Sequence, residues 1–102
     1  MATLHTVNRS PFQDHALNSC LKHVKAGDSV LLIEDGVYGA LAGTVMSDMV
    51  SELGLDISLL ALAPDVASRG IDSTKLLDGV MLIDYAGFVD LAATTDRTQN
   101  WL

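Results

Sequence analysis

Positive charge is scarce in this chain. Six Lys and Arg residues stand against 13 Asp and Glu, a net charge of -7. That balance repels a phosphate backbone, and the six cations form no run, so direct nucleic-acid binding by the chain alone is not expected. Long apolar runs are missing as well: none approaches the ~20 residues that span a bilayer. The segment from Met1 to Thr6 lacks the charged and apolar regions of a signal peptide, so the expected location is the cytoplasm. Cysteine is reduced to Cys20. One cysteine forms no internal disulfide, and a reducing compartment leaves it a free thiol, so Cys20 is there either for packing or for chemistry. No linker, internal repeat or low-complexity segment divides the chain, and residues 1–102 are read as a single domain.

What is present is apolar. Hydrophobic residues make up 49% of the chain and charged ones 19%, too apolar for a disordered segment. A chain of this length buries roughly 60 to 70% of its unfolded surface, so part of the apolar surplus is expected at the surface, awaiting a partner. An oligomer is the natural expectation.

Four short runs read as strands: Leu4 to Val7, Val30 to Ile33, Ile57 to Leu62 and Val80 to Ile83. The second and fourth are continuously apolar, as strands buried on both faces require. Between them lie helical signals. Ser10-Pro11-Phe12-Gln13 supplies a cap hydroxyl, a first-turn proline and a glutamine, so a helix is expected from there to Gly27. A second follows Asp35-Gly36, carrying Tyr38, Leu41, Val45, Met49 and Val50. A third runs from Asp65 toward Leu77, interrupted at Arg69-Gly70, and a fourth from about Ala86 to Thr95. Alternating strand and helix predicts an α/β, three-layer domain with a mostly parallel central sheet of four to five strands.

In the first helix, Phe12, Ala16, Leu17, Cys20, Leu21 and Val24 make an apolar stripe, which favours Cys20 as a small buried hydrophobe. One neighbour points the other way: His23, three residues on, shares a helix face and could stabilise a thiolate. Glu34, Asp35, Asp65 and Asp84 gather at expected strand ends. They could hold a magnesium ion, although strand-end carboxylates more often meet water and cap the next helix. Gly36, Gly39 and Gly43 match neither the dinucleotide fingerprint nor the nucleotide loop, and are read as turn and packing glycines. His5, His15 and His23 lack partners at metal-ligand spacing. No cofactor or metal site is expected, and no self-sufficient active site. The tail Gln99-Asn100-Trp101-Leu102 is expected to dock, on its own domain or on a neighbour.

Taken in order, Leu4-His5-Thr6-Val7-Asn8-Arg9-Ser10-Pro11-Phe12, Leu31-Leu32-Ile33-Glu34-Asp35-Gly36-Val37, Ala63-Pro64-Asp65-Val66-Ala67-Ser68-Arg69-Gly70 and Ile83-Asp84-Tyr85-Ala86-Gly87-Phe88-Val89-Asp90-Leu91 resemble the DsrH/TusB family of sulfur-relay subunits. The resemblance extends over nearly the whole chain, including the Trp near its C-terminus. It implies a DsrE-like (DsrEFH/TusBCD) fold and a heterohexamer holding two copies each of three related subunits, with DsrE/TusD-like and DsrF/TusC-like partners. It also implies passage of persulfide sulfur to or from a small DsrC/TusE-like carrier. The best-supported sulfur-bearing cysteine of such systems lies on the DsrE or TusD subunit. Because Cys20 resembles the first-helix cysteine of DsrH-type members, which TusB-type members often lack, the expected branch is DsrH of dissimilatory sulfur oxidation. Cys20 is then a candidate auxiliary persulfide site. The alternative is a TusB-like, mainly structural subunit of the relay for tRNA 2-thiouridine synthesis.

Overall fold

The computed structural model describes residues 2–44 and 56–101. Among them, β1 (Thr3–Val7), β2 (Ser29–Leu32), β3 (Ser58–Leu62), β4 (Met81–Ile83) and β5 (Arg97–Trp101) form one sheet in the order β4-β3-β2-β1-β5. All four pairings are parallel. The α/β architecture with a parallel sheet is therefore as the sequence implied, with five strands. The chain steps outward from β1 to β4 and then returns to place β5 on the far side of β1. The strand order reverses between β1 and β5, the kind of position where open α/β sheets leave a crevice.

Alternation of side chains along the strands separates two cores. One face carries Val7, Val30, Leu32, Leu59 and Ala61 against Leu17 and Cys20 of α1 (Ala16–Leu21) and Val66 of α2 (Ala63–Ser68). The other carries Leu4, Leu31 and Leu60 against Phe88, Leu91 and Ala92 of α3 (Tyr85–Thr94). Helices on both faces explain why β2 is buried at every residue.

β4 departs from expectation. It reads as an apolar strand buried on both faces, but it is an edge strand with Met81 60% and Leu82 39% exposed. Local apolarity reports that a strand wants cover, whereas its place in the strand order decides whether its own chain supplies it.

The first helix is also shorter than its sequence suggests. Ser10 does act as an acceptor, taking the Phe12 N–H on its hydroxyl at 3.3 Å and the Gln13 N–H on its carbonyl at 3.2 Å, but these close a turn. Asp14 then accepts the Ala16 N–H at 2.8 Å, and the helix begins there. After β2 the expected second helix is a 3-10 helix over Glu34–Ala40. It packs closely on the sheet and α1: a Cβ on Gly36 would lie 2.0 Å from the Val7 carbonyl oxygen, and one on Gly39 would lie 2.6 Å from a Leu17 methyl. Both glycines are packing residues, as read. The remainder of that expected helix, with Val45, Met49 and Val50, lies outside the described residues. The interruption at Arg69-Gly70 is present: α2 stops at Ser68, Gly70 takes φ +66°, and a 3-10 turn follows at Ser73–Lys75. β5 was not among the four runs read as strands. Its sequence, Arg-Thr-Gln-Asn-Trp, is too polar to declare itself, and its exposed residues show why polarity is tolerated there.

Candidate functional site

Cys20 is the penultimate residue of the short α1, fully buried in the core cluster that holds Leu17 and Val30. Burial, and after it the negative charge of Asp28, pushes its thiol up to about 12. A thiol so held is neutral at physiological pH and is a poor nucleophile, because sulfur exchange proceeds through the thiolate. His23 gives no visible help. Its Nδ1 lies 2.7 Å from the Ser19 carbonyl oxygen, and its ring lies against Trp101 with centroids 5.4 Å apart. In this arrangement Cys20 packs, and accepting sulfur would require the helix to expose it.

Three of the four carboxylates expected at the sheet's carboxyl end have a local task. Asp65 accepts the Glu34 backbone N–H at 2.6 Å, holding Glu34 in a left-handed conformation with φ +50°. Asp35 takes the Arg69 Nε–H at 2.9 Å. Asp84 caps α3 by accepting the Gly87 N–H at 2.8 Å. Among the described residues, no three His, Cys, Asp or Glu side chains converge as metal ligands.

A third constellation was not singled out in the sequence. His5, on β1, is 5% exposed, and its Nε2 lies 2.9 Å from Oδ2 of Asp28, itself 4% exposed. Trp101, at the end of β5, donates its indole N–H to Nδ1 of the same imidazole at 3.0 Å. Since Nδ1 accepts, the neutral ring carries its proton on Nε2 and donates it to Asp28. Both ring nitrogens are thus engaged, and His5 clamps β1 to the residue preceding β2 and to the C-terminal strand. Burial alone would raise the carboxyl of Asp28, but the His5 hydrogen bond and the backbone N–H groups of Thr3 and Lys25, each at 3.0 Å, hold it below the usual carboxylate range. The signal was available: a histidine inside a buried apolar strand needs a partner. The expected docking of the tail is seen here, with Trp101 seated on its own domain.

Above this clamp lies an open cavity of about 510 Å³ over the β1 and β5 strands, reached by His23, Lys25, Arg97 and Gln99 as well as Trp101.

A doubly covered, all-parallel five-stranded α/β sheet with a buried free thiol defines the class. The chain belongs to the DsrH-like protein family, whose sequence model matches residues 9–98. It is 37% identical over 100 residues to Protein TusB of Pectobacterium parmentieri, covering 96% of this chain and 99% of that one. To Protein TusB of Escherichia coli (strain K12 / DH10B) it is 32% identical over 99 residues, with the same coverage. Among solved structures it is similar in fold to the ychN protein from E. coli, with a TM-score of 0.82, 17% identity and coverage of 98% and 99% of the two chains. It also resembles protein Tm0979 from Thermotoga maritima, with a TM-score of 0.66, 26% identity and coverage of 91% and 92%. The DsrH/TusB resemblance is thereby established. The expected lean toward the DsrH branch is not supported, since these curated relatives carry the name TusB at near full-length coverage. A first-helix cysteine is a poor marker of branch when its side chain is only filling the core.

Proposed function

We propose that this chain is a TusB-like, mainly structural subunit of a cytoplasmic sulfur relay serving tRNA 2-thiouridine formation. Its partners would be TusD-like and TusC-like subunits in a heterohexamer, and its complex would exchange sulfur with a TusE-like carrier. The observation that carries this reading is the near full-length similarity to proteins named TusB. Two features support a structural role. Cys20 is sealed and protonated. Met81, Leu82, Tyr85 and Val89 are 39 to 66% exposed along β4 and α3, an apolar surface suited to a related subunit. In such a relay, a thiolate attacks the outer sulfur of a persulfide and the donor cysteine leaves as thiolate, so sulfur moves without net oxidation.

The test is native mass spectrometry of the co-expressed subunits after loading with a persulfide donor. The expected result is an assembly containing this chain, with the gain of about 32 Da per sulfur on a partner subunit and transfer retained by Cys20→Ser. Sulfur on the Cys20 peptide, with transfer lost in Cys20→Ser, would instead make Cys20 the auxiliary persulfide site of a DsrH-like carrier. A chain that stays monomeric beside its co-expressed partners would overturn the assembly role altogether.

A further inference from the structure

We propose that the cavity over β1 and β5 is a binding site for a small organic anion that carries a flat heteroaromatic ring, of the nucleoside monophosphate type. The proposal does not rest on the relay role.

Its two ends differ in chemistry. At one end, Arg97 is register partner to Thr3, and the backbone N–H groups of Thr3 and Lys25 both bind Asp28. Both cationic residues line the cavity around that carboxylate. Neither has an ion-pair partner among the described residues, whereas Arg9 and Arg69 are paired with Asp14 and Asp35. The one carboxylate in the cavity, Asp28, is held by three donors from its own chain. Its charge is therefore committed, and this end presents surplus positive charge in a protein whose net charge is -7.

At the other end, four residues along β5 and so ~13 Å away, stands the Trp101 indole. It is flanked by the imidazoles of His5 and His23, with centroids at 6.2 and 5.4 Å. The hydrogen bond to His5 holds the indole in place, and with the two imidazoles it forms an aromatic end of the cavity against which a conjugated ring can pack. Gln99 lies between the two ends on the same face of β5, with an amide for a polar middle. The volume, about 510 Å³, is that of a small-molecule site. An anionic group at Lys25 and Arg97 with a ring at Trp101 uses both ends. A polynucleotide does not fit the overall negative charge.

Trp101 is the chain's one tryptophan, so its emission reports on this cavity alone. The full-length protein is titrated with AMP, with inorganic phosphate and with adenosine, following Trp101 fluorescence and, in the unaltered protein, the NMR shift of its indole N–H. AMP is expected to give a saturable change below about 1 mM, with phosphate and adenosine each at least about tenfold weaker. The double variant Lys25→Gln/Arg97→Gln, altered at exposed positions and checked for fold by circular dichroism, is expected to weaken AMP binding by about tenfold or more. No response of either signal to AMP up to ~10 mM overturns the site. Phosphate binding as tightly as AMP overturns the ring end, and a folded double variant that titrates like the parent overturns the cationic end.

Discussion

The stretch from β1 through α2 and the stretch from the Ser73–Lys75 turn to β5 are built on opposite principles. Every buried residue of the described chain lies at or before Val66; after it there is none. The first stretch places strands in the middle of the sheet, with α1 and α2 covering one face. The second supplies both edge strands and one helix whose inner side, Phe88, Leu91 and Ala92, covers Leu4, Leu31 and Leu60 while Tyr85 and Val89 face outward. The difference teaches that the early stretch holds the fully buried core, whereas the late stretch leaves apolar side chains exposed along β4 and α3 and a cavity open along β5.

The sharpest way to break this contrast is to truncate one side chain from each stretch. Leu17→Ala opens a cavity between α1 and the sheet and is expected to cost about 2 to 5 kcal/mol, lowering Tm by roughly ten degrees or more. Val89→Ala, 66% exposed, should stay within about 0.5 kcal/mol. Equal losses in thermal unfolding would mean that the late stretch is no mere cover.

The clamp that joins the two stretches comes next. Asp28→Ala strands the Nε2–H of His5 and two backbone donors in a buried place, with an expected cost of about 2 to 3 kcal/mol. The pH dependence has a defined sign. The carboxyl of Asp28 is depressed in the folded state, so its contribution is fully present above the usual carboxylate range and is lost as pH falls through that range toward the folded value. Urea midpoints across the acid range should therefore fall more steeply for the parent than for Asp28→Ala; parallel curves would remove Asp28 from the account.

The smallest effect concerns Glu34, a non-glycine residue at φ +50° on the exposed rim of the core. Glu34→Gly should hold or raise stability by up to about 1 kcal/mol, while the β-branched Glu34→Val should lower it. A stabilised valine variant would show that the left-handed conformation is not required there.

Much of the fold was legible from local pattern. The apolar runs at β1, β2 and β3, the break at Gly70 and the span of α3 follow from periodicity and turn chemistry, which act over a few residues. Less of the site was. Cys20 was visible as a residue on an apolar stripe, but its sealing depends on β1 and β2 packing beneath α1. The clamp joins residues 5, 28 and 101, separations of 23 and 96 in sequence, over which no short spacing carries information.

By itself the sequence determined an α/β chain with an apolar surplus, one thiol on a helical stripe, and a membership in the DsrH-like family that could be read from ordered motifs. The tertiary structure alone decided what those features are for. The strand order put the apolar β4 at an edge and so turned a core strand into an exposed face. The return of β5 beside β1 brought Trp101 onto His5 and left a cavity uncovered. Burial, which is a property of the whole packing and of no single residue, set Cys20 as a protonated thiol inside the core.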